Sequence, residues 1–444
     1  MLIAPINIIL FCFGIYSILS KKINFYLFTI IFFATSFFGF LPGFTDYGIR
    51  SINNYDLAIV LLLLGIIFLP KKNNFIEKHR LYSTYKKLTL GFIIYVTGLI
   101  LYDVFISGNS FANVLIESRA YLFLLSLKLI DRIDLNNTSK LINILVYIIS
   151  IKSFIYATQY ILNVEIFESS ELLLSQGKFS GFYSLSPLII IYLLNKPKKI
   201  FVDILSIFFL VLSSILLGSS GYILANASIL ICFIYFAKKS IIKMVLGFLI
   251  IPLTVLLIAL FPSNISNEEN ISADFSLDFK EALNFTSEFN SSRDITEFYH
   301  GGSFQFRLAM FAERALYLID NDRLLFGDGF TPDSKLDYQI FILGTHTDYY
   351  RFGIEQYNSA DFLYVNLISR FGLIGTILFI YLFIYLFKFS KYNMFFFSSF
   401  IIFILLTSLN SNILYKMSNL VLIYLIVFTE VQLRFNNHYT KALS

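Results

Sequence analysis

Long apolar runs recur along this chain from its beginning to its end, and no other feature constrains the fold so strongly. An α-helix rises about 1.5 Å per residue, so about 20 apolar residues cross the hydrocarbon core of a bilayer. The runs predict about twelve or thirteen such spans. They lie roughly at residues 2–19, 23–41, 55–70, 88–107, 119–130, 140–162, 181–195, 199–217, 221–237, 241–261, 370–388, 392–410 and 414–433.

Composition supports the same class of protein. Hydrophobic residues make up 57% of the chain and charged residues 14%, with a mean hydropathy of +0.73, which excludes a soluble fold. Continuous runs favour helices over a β-barrel, whose strands alternate polar and apolar side chains. We therefore predict an all-α, polytopic integral membrane helix bundle. Lys21 and Lys22 follow the first run without a small-residue cleavage site, so we expect this run to be retained as a helix.

Basic clusters mark every second loop between the predicted spans. They lie at residues 21–22, 71–87, 128–140, 196–199, 238–243 and 388–391. The positive-inside rule places these loops in the cytoplasm, so the large loop at residues 262–359, between the tenth and eleventh spans, faces outward. The expected divisions are N-terminal transmembrane helices at 1–261, a large periplasmic loop at 262–359, and C-terminal transmembrane helices at 360–444.

Arginine and lysine are distributed differently across this topology. Eight of the 11 arginines fall on the predicted outer side or its membrane edge, and these are Arg50, Arg119, Arg293, Arg307, Arg314, Arg323, Arg351 and Arg370. Of 23 lysines, only four do: Lys178, Lys280, Lys335 and Lys416. A guanidinium binds phosphate or carboxylate through paired hydrogen bonds, whereas an ammonium is a point charge. The outer arginines therefore either bind an anionic ligand or pair with lipid headgroups and the acidic residues of the loop.

The second half of the large loop has helical periodicity near residues 303–320. Arg307 and Arg314 are seven residues apart, so both project from nearly the same angle of this amphipathic helix. The helix could lie along the outer leaflet and present both guanidiniums to a diphosphate, or its arginines could pair with Glu313 or Asp320.

Gly327 and Gly329 predict a turn after this helix. We interpret the preceding run Asp320-Asn321-Asp322 as the end of the helix and not as a metal site. His300 and His346 are too scattered along the sequence to indicate zinc.

The stretch NSADFLYVNLISRFGLIG, residues 358–375, carries polar groups just before an apolar run. We expect residues 358–370 to extend the next helix outward and to line a wet surface. Asp361 in its first turn is either a partner of the helix dipole or a carboxylate at the mouth of a cavity. Gly372 and Gly375 allow a neighbouring helix to approach closely.

These elements together resemble the O-antigen polymerase and ligase superfamily of envelope polysaccharide assembly. The resemblance rests on Arg307 with Arg314, on Gly327-Asp328-Gly329, on Asp361 with Gly372 and Gly375, on the Ser-rich segment at 216–230, and on Arg119 in ESRAYLFLLSL. In the Ser-rich segment, Ser220-Gly221 replaces an Arg that the family often carries. Ligases of the superfamily typically carry His where this chain has Asp361, which favours a polymerase.

The resemblance implies a metal-independent glycosyltransferase that joins undecaprenyl-diphosphate-linked repeat units at the periplasmic face of a bacterial inner membrane. It implies Asp361 as base, Arg307 and Arg314 as catalytic diphosphate ligands, and a wider substrate-binding set of Arg119, Arg351, Arg370, His346 and Lys178. Lipid-linked glycan donor and acceptor, membrane lipids and a chain-length regulator protein are the expected partners. No metal, cofactor or nucleic acid is expected. An O-antigen ligase, a lipid-linked oligosaccharide flippase and a structural scaffold remain as alternatives.

Overall fold

The computed structural model describes residues 5–35, 54–72, 77, 79–162, 185–196, 199–216, 220–236, 303–331, 363–410 and 419–443. These ranges are helical throughout, joined by turns, and contain no β-strand. The α-helices are α1 (Pro5–Leu19), α2 (Ile23–Thr35), α3 (Asn54–Phe68), α4 (Arg80–Phe105), α5 (Phe111–Ser118), α6 (Ser126–Ile130), α7 (Leu135–Leu162), α8 (Ser186–Asn195), α9 (Phe201–Leu216), α10 (Ser220–Phe236), α11 (Ser303–Asp320), α12 (Leu363–Leu386), α13 (Met394–Asn410) and α14 (Leu420–Leu443).

Membrane-spanning character is present in both halves of the chain. Three described segments are long and apolar enough to cross a bilayer, at Arg80–Phe105, Asn137–Gln159 and Leu363–Lys391, and seven shorter apolar helices accompany them. The predicted all-α membrane helix bundle is thereby confirmed. The tenth predicted span lies outside the described residues, so the number of spans stays a prediction.

The centre of the bundle is α14. No side chain from Leu420 to Thr429 is more than 1% exposed, as expected for a helix that is apolar on every side. It packs against α2, α6 and α7. The hydroxyl of Tyr85 on α4 donates a hydrogen bond to that of Tyr424 at 3.2 Å. Helices from both ends of the chain therefore share one core.

The fifth predicted span, 119–130, differs from a simple helix. It consists of a 3₁₀ segment, Arg119–Leu125, followed by α6. A 3₁₀ helix rises about 2.0 Å per residue, so these twelve residues cover about 21 Å, more than an α-helix of equal length. The larger rise per residue lets this short apolar segment extend further along the bundle.

α12 is interrupted at Gly372, which takes φ +59° and ψ −165°. A break of this kind leaves the next amides without partners inside the helix. Here the N–H groups of Leu373 and Ile374 donate instead to the carbonyls of Leu324 and Leu325, at 2.9 and 3.1 Å. The loop at 321–331 thus closes the start of the second half of α12.

The same loop also closes the end of the first half. The carbonyls of Ser369 and Arg370 accept hydrogen bonds from the N–H groups of Asp328 and Gly329, at 2.7 and 3.0 Å. The fit is close, because a Cβ on Gly372 would lie 2.5 Å from the backbone N of Gly327. The expectation that Gly372 admits a neighbouring helix is therefore wrong, since the neighbour at this point is loop backbone.

The charged pairs divide between two ends of the bundle. At the end where α4 begins, lysines and Arg434 meet carboxylates in the pairs Lys86–Asp131 (2.5 Å), Lys196–Asp203 (2.8 Å) and Arg434–Glu430 (2.8 Å). At the end where α4 finishes, the ion pairs between described residues are made by arginine: Arg119–Asp56, Arg323–Asp328 and Arg370–Glu117. The two ends are called the lysine-rich end and the arginine-rich end below.

Candidate active site

The loop after α11 is a compact turn built on residues with positive φ. Asp322 takes φ +56°, and the N–H of Arg323 donates to the carbonyl of Leu318 at 2.7 Å, so the acidic run ends the helix as predicted. Gly327 and Gly329 take φ +77° and +67°. The predicted glycine turn is confirmed.

Asp103, fully buried on the last turn of α4, holds the loop from the side opposite α12. Its carboxylate accepts a hydrogen bond from the N–H of Phe330. A Cβ at Gly329 would lie 2.3 Å from this carboxylate, so the contact requires glycine. Nearby, Asn109 donates from Nδ2 to the Thr331 hydroxyl at 3.1 Å. Hydrogen bonds therefore join the loop to α4 on one side and to α12 on the other.

Tyr95 adds a further contact between α4 and this junction. Its hydroxyl donates to the carbonyl of Phe371 at 2.7 Å and lies 3.2 Å from the carbonyl of Phe326. A Cβ on Gly375 would lie 2.6 Å from the Tyr95 ring. Close approach of a neighbouring helix at Gly375 is thus confirmed.

Arg323 and Asp328 form an ion pair within the loop. The carboxylate side chain is 5% exposed and the guanidinium side chain 34%. Burial raises the pKa of Asp328, while the positive charges of Arg323 and Arg314 act in the opposite direction. Asp328 therefore anchors a guanidinium that remains partly accessible to solvent.

Arg370 on α12 is buried against the same loop. Its Nη2 lies 2.5 Å from Oε2 of Glu117 on α5, and its guanidinium lies 5.5 Å from the ring centre of Phe330. One turn earlier, Asn366 accepts a hydrogen bond from Tyr121 at 2.9 Å. The expectation that residues 358–370 line a wet surface is wrong for Asn366 and Arg370, because partners on α5 and the 3₁₀ segment enclose them.

The other predicted arginines vary in their surroundings. Arg119 donates from Nη1 to both carboxylate oxygens of Asp56, at 2.8 and 3.0 Å. Arg314 on α11 is 1% exposed, beside the fully buried Glu313. Its positive charge acts on Asp328, which indicates that Arg314 lies near the loop. The expected pairing with an acidic residue of the loop holds for Arg323, whereas Arg119 and Arg370 pair with carboxylates outside the loop, Asp56 and Glu117.

Several predicted site residues cannot be placed against this cluster. The backbone of Arg307 lies in α11, but its side chain is outside the described residues. The described residues do not include Lys178, His346, Arg351 or Asp361. Of the predicted set, Arg314 and Arg370 therefore meet around one loop, and Arg119 lies two residues from Glu117, the partner of Arg370.

Sequence reasoning missed the acidic half of the cluster. Asp103 gave a usable signal, because a carboxylate within an apolar span is rare and usually has a specific partner. Glu117 stands two residues before Arg119, and its pairing with Arg370 has no signature in a single sequence. Within the described residues, no group of three His, Cys, Asp or Glu side chains could hold a metal.

The loop thus carries Arg323 and Asp328 and lies against Asp103 and the pair Arg370–Glu117, with the charge of Arg314 near it. A guanidinium forms charge-assisted hydrogen bonds with phosphate as well as with carboxylate, so these groups have the chemistry that binding of an anionic ligand requires. The fold and this cluster define a helical membrane protein with an arginine-rich polar centre at one end of its bundle.

Residues 201–380 match the family model described as O-antigen ligase. This match confirms the resemblance to the O-antigen polymerase and ligase superfamily over residues 201–380. Members of this family transfer glycans from lipid-linked donors. No curated protein matches the chain significantly. The matched region includes α9 to α11, the loop at 321–331 and the break in α12, whereas Asp103 and Glu117 lie before it.

Proposed function

We propose that this protein is a polysaccharide polymerase that joins undecaprenyl-diphosphate-linked oligosaccharide repeat units. The growing glycan leaves its lipid diphosphate and is transferred to a hydroxyl of the next lipid-linked unit. We place the reaction at the periplasmic face of a bacterial inner membrane, because the lysine-rich end has the composition of cytoplasmic loops. The divisions at 1–261, 262–359 and 360–444 are part of this proposal.

The observation that carries the proposal is the gathering of Arg314, Arg323 and Arg370 around the loop at 321–331. A departing lipid diphosphate develops negative charge, and preorganised cationic donors stabilise such a leaving group. Since Asp328 and Glu117 already orient two of these guanidiniums, little reorganisation is needed when the diphosphate arrives. Arg307, on the same helix as Arg314, is proposed as a further ligand, and Arg119, Arg351 and Lys178 complete the substrate-binding set.

Asp361 is proposed as the base that takes the proton of the acceptor hydroxyl, with His346 as a second candidate. Asp361 stands nine residues before Arg370 in the sequence. A carboxylate suits this role because the diphosphate is a good leaving group and the remaining requirement is activation of the nucleophile. The residue type also supports a polymerase over a ligase, in which the resemblance implies His at this position.

The decisive experiment gives the purified protein a single lipid-linked repeat unit and no other acceptor. A polymerase makes a ladder of products, whereas a ligase makes none. Arg307→Ala is expected to abolish long products and leave single lipid-linked units, at normal protein level. Lys140→Gln, an exposed change on α7 at the lysine-rich end, is the matched control and should leave the ladder intact. An unchanged ladder with Arg307→Ala would remove that residue from the site, and no ladder with wild-type protein would refute the proposal.

A further inference from the structure

A second site lies at the lysine-rich end, far from the arginine cluster. Between the first turns of α4 and the segment Leu124–Lys128 the structure forms a half-open cavity of about 320 Å³. This volume lies within the range of about 300 to 1,000 Å³ typical of small-molecule sites. Lys87 and Asp103 are sixteen residues apart on α4, which separates the lysines of the cavity from the arginine-rich end by about 24 Å.

The lining of this cavity is divided along the direction of α4. Lysines stand where the helix begins, at Lys86 and Lys87, with Lys128 across from them. One to two turns further into the bundle the wall becomes apolar, at Leu90 and Ile93. A ligand that fits both parts has an anionic head and an apolar tail, with the head at the end of the bundle.

The balance of charge favours an anion at the head. Lys86 is engaged by Asp131 at 2.5 Å. In the described part of the chain, Lys87 and Lys128 are exposed and take part in no ion pair. Burial, together with the negative charge of Asp131, raises the pKa of the one acidic residue in the lining, Glu77. The lining therefore contains three lysines and one glutamate.

We propose that this cavity binds a membrane lipid with an anionic phosphate headgroup, its phosphate held by Lys87 and Lys128 and its acyl chain lying against Leu90 and Ile93. Basic pockets between membrane helices at the cytoplasmic side are suited to such headgroups. The site is independent of glycosyl transfer, because none of its lysines belongs to the arginine cluster. A lipid here would tie the 3₁₀ segment and α6 to α4.

The test is native mass spectrometry of the purified full-length protein with added phosphatidylglycerol or phosphatidylcholine. We expect phosphatidylglycerol to be retained preferentially. The double variant Lys87→Gln/Lys128→Gln should weaken that preference by roughly fivefold for each lysine. Lys140→Gln removes a lysine at the same end but outside the cavity, and should leave the preference unchanged. Equal retention of the two lipids by wild-type protein, or a preference that survives the double variant, would overturn the proposal.

Two further arms separate a lipid from free phosphate. Dihexanoyl phosphatidylglycerol should bind more weakly than the long-chain lipid, because the apolar wall then loses contact. Inorganic phosphate alone should not raise the unfolding temperature as phosphatidylglycerol does. If inorganic phosphate stabilised the protein equally, the ligand would be a free anion and the lipid assignment would fail. Glu77→Gln keeps the cavity shape and removes any negative charge in the lining, so we expect equal or tighter lipid binding, and weaker binding would count against an anionic headgroup.

Discussion

Arg370 and Glu117 are 253 positions apart in the sequence, and their side chains approach to 2.5 Å. The pair joins α12 to α5 directly behind the loop at 321–331. The arginine side chain is 7% exposed and the glutamate 32%. The orientation of a proposed diphosphate ligand therefore depends on a residue outside the matched family region.

Replacing Arg370 or Glu117 by a neutral residue should destabilise the protein. Arg370→Gln leaves Glu117 without its cation, and we expect a loss of about 2 to 3 kcal/mol, below the roughly 3–5 kcal/mol of a fully buried pair. A double-mutant cycle with Glu117→Gln should give a coupling above about 1 kcal/mol, measured by thermal unfolding in detergent. Arg434→Gln removes a more exposed pair on α14 and should cost about 1 kcal/mol or less. A coupling indistinguishable from zero would show that the pair does not act as a unit.

Gly372→Ala should destabilise the junction between the loop and α12. A side chain at φ +59° is strained by about 1 to 3 kcal/mol, and its Cβ would also meet backbone atoms at 2.5 Å. Gly98→Ala is the matched control, because nothing lies within 4 Å of its Cβ and alanine favours a helix. Unfolding temperatures of the two variants should move in opposite directions. An unchanged value for Gly372→Ala would mean that the break can relax without cost.

Protonation of His79 should lower the stability of the folded protein as the pH falls. Burial, and then the charge of Lys391, lowers its pKa below the ordinary value of 6.5. Its Nδ1 accepts from the N–H of Leu81 at 3.2 Å, and its Nε2 lies 2.7 Å from the Tyr392 hydroxyl. The neutral ring is therefore favoured by folding. Its contribution is complete above pH 6.5 and is lost as the pH falls through the lowered value.

His79→Asn tests this directly, since asparagine can cap α4 without titrating. The unfolding temperature of the variant should change less between pH 7.5 and 5.0 than that of the wild-type protein. Equal pH dependence in the two proteins would remove His79 as the group responsible.

Asp361→Asn should separate binding from turnover. The amide keeps the size of the side chain and cannot accept the acceptor's proton, so lipid-linked substrate should still bind while the product ladder is lost. Binding is measured by retention of labelled lipid-linked unit on the purified protein. Full turnover by the variant would exclude Asp361 as the base and leave His346 to be tested.

The helices were predictable where local hydrophobicity decides them. The runs at 199–217 and 221–237 correspond to α9, Phe201–Leu216, and α10, Ser220–Phe236. The break at Gly372 was not predictable in this way, because its backbone groups are satisfied by Leu324 and Leu325, almost fifty residues earlier. The hydrophobic pattern of a short stretch of sequence contains no information about partners so far away in the chain.

The candidate site was predictable in part. The bias of arginine toward one side indicated Arg314 and Arg370, because charge segregation survives in a single sequence. Their carboxylate partners could not be found, since a Glu on α5 and an Asp on α4 become neighbours only through packing of distant helices.

The interrupted α12 has a consequence for how the chain is made. Its first half ends and its second half begins with backbone groups that hydrocarbon cannot satisfy, and each would cost several kcal/mol if left exposed. The loop that satisfies them is synthesised first, so it must be held ready when α12 leaves the ribosome. The loop and the two halves of α12 are therefore expected to become ordered together during insertion.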